Sequence, residues 1–124
     1  MQAPYPSGEI VEKPWGTEKW IDCNDHYAVR ELLIRKGHAV SLQYHEKKLE
    51  TLYVLQGRAI YTTQDEQGRF VEREVGPGDI MKNYPFVMHR QRALEDFRFI
   101  EVTTPELDDI IRVEDDYHRG SHTL

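Results

Sequence analysis

The sequence predicts an all-β fold, a sandwich or barrel built as one domain. Three observations carry that expectation. Short β-rich runs alternate with turn residues along most of the chain, nothing resembles a long amphipathic helix, and 124 residues suit a single core. Residues 1–17 are rich in Pro and Gly and read as an N-terminal arm or loop, with residues 18–124 forming the barrel and its C-terminal tail. Tyr27 to Ile34 is β-rich and turns at Lys36-Gly37-His38. Val40 to Tyr44 follows, then a charged loop, Glu46-Lys47-Lys48. Leu52 to Leu55 is a continuous apolar run that stops at Gln56-Gly57, and Ala59 to Thr63 reads as its hairpin partner. Phe70 to Val75, Ile80 to Asn83, His89 to Ala93 and Phe97 to Thr103 read as further strands, with Gly76-Pro77-Gly78-Asp79 a strong breaker. Pro105 to Asp109 reads as one helical turn, and Ile110 to Glu114 as a last strand or an extended tail.

Composition narrows the function classes. The net charge is −6 with both signs interspersed, so the basic face that nucleic acid requires is missing. Arg90 and Arg92 form only a small cluster, which surface solvation explains. No stretch of 18 apolar residues is available to span a membrane. The N-terminus lacks a basic start followed by an apolar run, which reads against a secretory signal. Cys23 is the only cysteine, so no internal disulfide forms, and a lone thiol fits the reducing cytoplasm expected for this chain.

The chemistry concentrates between Gly37 and Gly57. Gln43 and His45 are two apart, so on a strand both side chains share a face. Glu50 follows five residues after His45, and Gly57 closes the next strand. This run resembles the first cupin motif, with Gln43 standing where the first His usually sits. Gly78 and His89, eleven apart, resemble the ends of the second cupin motif. Its Pro-x-Gly turn is altered to Tyr84-Pro85-Phe86, and Pro85 is expected to do the turning. The resemblance implies a double-stranded β-helix, the jelly-roll barrel of cupins. It also implies one divalent metal held by Gln43, His45, Glu50 and His89. Imidazole and oxygen donors suit zinc first, then manganese, iron, cobalt or nickel. Four protein ligands leave positions open for water or substrate. A single His in a barrel is more often an ordinary polar residue; four residues at motif spacing favour the metal.

Trp15-Gly16, the stretch Ser41-Leu42-Gln43-Tyr44-His45 with Glu50, and the tail from Ile110 to Tyr117 with Arg119 together resemble the type II phosphomannose isomerase cupin. That cupin usually forms the C-terminal part of bifunctional mannose-6-phosphate isomerase/mannose-1-phosphate guanylyltransferases. The resemblance runs from about Lys13 to Arg119. It implies interconversion of phosphorylated aldoses and ketoses with a divalent metal, and no nucleotide transfer. Glu46, Lys47, Thr51 and Leu52 depart from the family pattern around the pocket mouth, which bears on the sugar taken.

Such isomerisation moves a proton between adjacent carbons through an enediol, so a base is required. Glu101 is the candidate, because its strand would line the barrel; pairing with Arg98 or Arg112 is the plainer alternative. Arg112 is expected to present its guanidinium to phosphate or to an enediolate oxygen, the alternative being a surface pair with Glu114 or Asp109. Lys48, or Lys47, is placed to contact phosphate. The competing functions are epimerisation of a sugar or sugar nucleotide and non-catalytic sugar binding, since cupins host many functions. The expected partners are a sugar phosphate and a second copy of the chain. In that homodimer the arm from Gln2 to Val11 would cover a sheet edge, by exchange between subunits.

Overall fold

Alternating burial along the chain builds eleven strands among residues 6–122, the residues that the computed structural model describes. They are β1 (Ile10–Lys13), β2 (Gly16–Cys23), β3 (Ala28–Ile34), β4 (Leu42–Tyr44), β5 (Glu50–Gln56), β6 (Ala59–Gln64), β7 (Phe70–Val75), β8 (Ile80–Asn83), β9 (Arg90–Ala93), β10 (Phe97–Thr103) and β11 (Ile111–Glu114). One sheet has six strands in the order β1-β2-β3-β10-β5-β8. Facing it are β7-β6-β9 and the pair β11-β4, which the bridges Gln43–His89 and Ala39–Arg92 join. All strand pairs are antiparallel. Two facing antiparallel sheets with these crossovers are the jelly roll that the cupin resemblance implies. Among the described residues no helix is long and apolar enough to cross a membrane.

The inward-facing residues change character along each strand, and this places the site. On β10 they run Phe97, Phe99, Glu101, Thr103, and on β5 they run Val54, Leu52, Glu50. The β3–β10 register sets Ile34 against Phe97, Leu32 against Phe99 and Arg30 against Glu101. One end of the barrel is thus an apolar core that includes Ile34, Val54, Val75 and Phe97. The other end is polar and charged.

Three expectations are corrected. The stretch read as an arm to residue 17 contains β1 and the start of β2, and Trp20 N donates to Glu9 O at 2.9 Å. From Gly8 onward it therefore covers the edge of its own sheet; residues 1–5 of the expected arm lie outside the described residues. Ala59–Gln64 is not the hairpin partner of the preceding run, because β5 pairs with β10 and β8 while β6 pairs with β7 and β9 in the facing layer. The crossing falls at Gly57, whose φ of 83° and 2.0 Å approach of a would-be Cβ to Asp96 O exclude any side chain. Pro105 to Asp109 forms tight turns rather than a helical turn, with Leu107 N donating to Pro105 O and Asp109 N to Glu106 O.

The altered second-motif turn keeps its shape at a cost. Phe86, at the position where the motif has Gly, adopts φ 65° and donates its N–H to His45 O at 2.7 Å. A left-handed backbone costs a residue with a Cβ roughly 1–2 kcal/mol. The Phe86 ring is exposed and its one ring contact among the described residues is with Tyr44, at a centroid separation of 6.2 Å, so little packing offsets that cost. Phe86→Gly is therefore expected to leave thermal stability unchanged or to raise it by up to about 1 kcal/mol, whereas the β-branched Phe86→Val should lower it by about 1 kcal/mol or more. Thermal unfolding of the two variants beside wild type measures the difference.

Candidate metal centre

The site lies where the two layers meet. Gln43 and His89 exchange backbone hydrogen bonds, Gln43 N to His89 O at 3.1 Å and His89 N to Gln43 O at 2.9 Å. That pairing brings the strand end carrying His45 beside the strand start carrying His89. Glu50 opens β5, and the loop between His45 and Glu50 is held from outside. The Asp109 carboxylate accepts the N–H groups of Glu46, Lys47 and Lys48 at 3.0, 2.7 and 2.9 Å. Burial would raise this carboxyl, but the three donors outweigh it and hold it below its ordinary value.

Both imidazoles are turned by backbone carbonyls. His45 Nδ1 lies 2.6 Å from Asp109 O, and His89 Nδ1 lies 3.1 Å from Val87 O. A carbonyl only accepts, so each Nδ1 carries a proton and each ring turns its Nε2 to the interior. His45 Nε2 is 3.1 Å and His89 Nε2 is 3.3 Å from the same oxygen, Glu50 Oε1. The three donor atoms lie within 4.8 Å of one another, all on buried residues. His89 Nε2 is buried with no geometrically acceptable hydrogen bond despite that 3.3 Å approach. Lone pairs converging on one dry point repel unless protons or a cation sit between them, and one metal ion satisfies all three donors together. The residues present thus fit a divalent ion, with the carbonyls as its outer support. Burial pushes the Glu50 carboxyl up; the Lys48 ammonium and the two imidazoles outweigh burial and hold it well below the usual carboxylate range.

A small cavity of about 60 Å³ adjoins these groups, and Gln43, Lys48, Glu101 and Arg112 all line it. Gln43 Oε1 accepts from Ser41 Oγ at 3.3 Å. Lys48 is not at a solvated mouth but buried, its Nζ 3.7 Å from Glu50 Oε2. Glu101 pairs with neither Arg98 nor Arg112. Its partner is Arg30, whose Nη2 donates to Glu101 Oε1 at 2.5 Å, while Arg98 pairs with Glu31. Burial raises the Glu101 carboxyl, Arg30 opposes, and Glu50 adds to the rise, so it ends above its ordinary value. Arg112 takes neither expected surface partner through its side chain: Nη1 donates to Gly120 O.

Several functional groups were not singled out from sequence. Arg30 links two buried carboxylates, donating to Glu18 Oε2 at 2.7 Å as well as to Glu101, and lies over the Trp20 ring. Asn83 donates to Glu50 Oε1 at 3.1 Å and accepts from Tyr61 at 2.5 Å. The available signal was a charged residue at an inward position, as at Arg30 between Ala28 and Leu32.

A profile of the family described as "Mannose-6-phosphate isomerase C-terminal" matches residues 5–115. The Xanthan biosynthesis protein XanB of Xanthomonas campestris pv. campestris (strain B100) is 30% identical over 112 residues, covering 88% of this chain and 23% of its own length. Mannose-1-phosphate guanylyltransferase ManC of Salmonella typhimurium is 28% identical over 114 residues, with the same two coverages. The chain spans less than a quarter of the length of these curated relatives. Among solved structures, KdgF from Halomonas sp. aligns with TM-score 0.68 at 21% identity, over 82% of this chain and 89% of that one. Oxalate decarboxylase from Bacillus subtilis aligns with TM-score 0.72 at 20% identity, over 86% and 30%. At those identities the structural likenesses speak to fold alone.

Protein isolated without chelator is expected to carry about one divalent ion per chain, and His45→Ala and His89→Ala to lose it. Elemental analysis of the three proteins decides; equal metal content in all would refute the centre. A second expectation concerns pH. Burial would raise the Asp115 carboxyl, but hydrogen bonds from the Arg119 side chain and backbone lower it from 3.8 to about 2. A carboxyl depressed in the folded state contributes stability above its unfolded pKa and loses it as the pH falls through the folded one. Stability should therefore decline between about pH 4 and pH 2, and Asp115→Asn should flatten this part of the curve in denaturant titrations.

Proposed function

This chain belongs to the mannose-6-phosphate isomerase C-terminal family, and on that premise we propose that it is a metal-dependent aldose–ketose isomerase acting on a phosphorylated sugar. The observation that carries this reading is the meeting of two kinds of group in one cavity. Glu50 and His89, which with His45 form a donor set fit for a divalent ion, line the same cavity as Glu101, a buried carboxyl of raised pKa. Gln43, on the same wall, is the fourth ligand in this proposal. When bound, a divalent ion, zinc first and otherwise manganese, iron, cobalt or nickel, supplies Lewis-acid stabilisation of negative charge on a substrate oxygen.

The chain's own residues supply the rest. Glu101 takes the proton from the carbon beside the carbonyl and returns it to the neighbouring carbon. Its raised pKa makes it a stronger base than an exposed carboxylate. Arg30 positions it, because a guanidinium at 2.5 Å fixes one oxygen and leaves the other free to act. Lys48 neutralises Glu50 and can donate to a substrate oxygen, and Arg112 binds the phosphate or an enediolate oxygen. The cavity of about 60 Å³ favours a small substrate over a sugar nucleotide, since drug-sized ligands fill roughly 300–1,000 Å³. A small sugar phosphate still has to displace part of the wall formed by Leu107, Ile110 and Arg112.

Incubation with a panel of sugar phosphates and divalent metals in deuterated water tests the reading. Deuterium should enter at the carbon next to the carbonyl, and Glu101→Gln should slow entry by roughly 10²- to 10⁴-fold with metal content unchanged. Arg112→Lys should reduce turnover about ten- to a hundredfold. Metal-loaded protein that exchanges no deuterium with any sugar phosphate would leave a sugar-binding cupin instead. The homodimer stays part of the proposal, supported by the outer face of the large sheet. There Tyr53 sits beside Ile80 and Ile100, and Tyr53, Leu55, Ile80 and Val102 are all exposed. Light scattering should report twice 14.7 kDa, and a monomer mass would remove the dimer.

A further inference from the structure

Charge within the cavity wall is unevenly shared. Five cations line it, Lys13, Arg30, Lys48, Arg112 and Arg119, against three carboxylates, Glu18, Glu50 and Glu101. With Asp115, which clamps Arg119 from behind, the described groups are five cations and four carboxylates. The chain as a whole carries −6, so this local excess runs against its overall charge.

The excess gathers at one end. Contacts run in series from Lys13 to Glu18 at 3.8 Å, to Arg30 at 2.7 Å, and on to Glu101 at 2.5 Å. Lys13 stands at the opposite end of this chain from Glu101, and its neighbours there are cations. Its ammonium is pushed below its ordinary value by burial and by Arg30, Arg119 and Arg112, with Glu18 alone opposing. Arg119 is held by Asp115 at 2.9 and 3.1 Å through Nε and Nη2 and lies over the Tyr117 ring. That grip leaves Nη1 with no hydrogen bond among the described residues. Arg112 is held by the tail at Gly120 O. Three cations fixed near one another repel, and the fold spends several contacts on holding them there. An anion between them removes the repulsion and takes up their donors.

The geometry points to an anion subsite formed by Lys13 and Arg119 together with Arg112, which receives the phosphate or carboxylate group of a small ligand. It deepens the isomerase reading by naming the residues that hold the substrate's charged group, and it rests on that reading only for the sugar part of the ligand. The reacting carbons then lie toward Glu101 and Glu50, and the anionic group lies toward β1 and the tail. Neither Lys13 nor Arg119 takes part in proton transfer, so both set specificity.

Calorimetric titration of the metal-loaded protein with inorganic phosphate tests the subsite. Lys13→Met and Arg119→Gln should each weaken phosphate binding at least about tenfold, while Lys19→Met, an exposed lysine on β2, should leave it unchanged. Acetate titrated in the same way separates a carboxylate class from a phosphate class, the class being that whose affinity both variants reduce. Arg119→Gln deprives Asp115 of its partner, so Lys13→Met, which keeps that pair, decides alone if the Arg119 variant does not fold. Absence of binding of either anion by wild type up to about 50 mM, or equal affinity in wild type and Lys13→Met, overturns the subsite. Isomerisation that proceeds while anion binding ignores Lys13 sinks only the subsite. Anion binding that depends on Lys13 in a protein that isomerises nothing sinks only the isomerase reading.

Discussion

Arg30 is the side chain on which the polar end of the barrel depends. It is shared between Glu18 and Glu101, and its charge is what permits two carboxylates in a protein interior. Buried ions of one sign are tolerated only when paired, and losing one member of such a pair costs about 3–5 kcal/mol, because the other is left uncompensated. Arg30 stays charged: burial disfavours the guanidinium, but Glu101 and Glu18 more than offset that. The strand register makes the triad possible, setting Arg30 opposite Glu101 on one side and Trp20 on the other. The indole beneath the guanidinium shields it from water at a separation of 5.1 Å.

The same pairing logic extends to the metal donors. Glu50 meets Lys48 at one oxygen, and Asn83, His45 and His89 at the other. Glu50 adds to the rise of Glu101 across the cavity, and Arg30 and Lys48 both oppose that rise. Each carboxylate thereby acquires its own character. Glu50 is held ionised, and Glu101, the base of the proposed reaction, is held more readily protonated. Position along two neighbouring strands separates these roles.

Much of this was legible in the sequence because strands declare themselves locally. Phe70–Val75, Ile80–Asn83 and Phe97–Thr103 have the bounds that alternation and turn residues imply. The spacing of His45, Glu50 and His89 was legible as well, because a motif preserves the distances a strand and its turn impose. Phe86 shows how deep that goes: its side chain departs from the motif, yet its backbone takes the left-handed conformation that the motif's Gly supplies. What stayed hidden depends on the third dimension. β1 and β2 were masked by Pro14 and Gly16 and by the charges of Glu18 and Lys19, which read as loop when no sheet partner is known. Leu52–Leu55 and Ala59–Thr63 look like a hairpin because nothing local says that Gly57 sends the chain into the facing sheet. The partner of Glu101 is 71 residues away, and no spacing rule selects Arg30 over Arg98.

The reciprocal bonds between Gln43 and His89 also carry a consequence for the order in which the molecule assembles. His45 and Glu50 are joined by a short loop, whereas His89 meets them through the Gln43–His89 bridge, a contact distant in sequence that joins β4 to the layer holding β9. Loop-closure entropy makes such long-range pairing the slow part of folding a β protein. Until that pairing forms, only two of the three donors can stand together, and two donors would hold an ion more weakly than three. An ion held by these donors would therefore be captured late and would add its binding energy at the junction of the two layers, as a latch on the finished barrel.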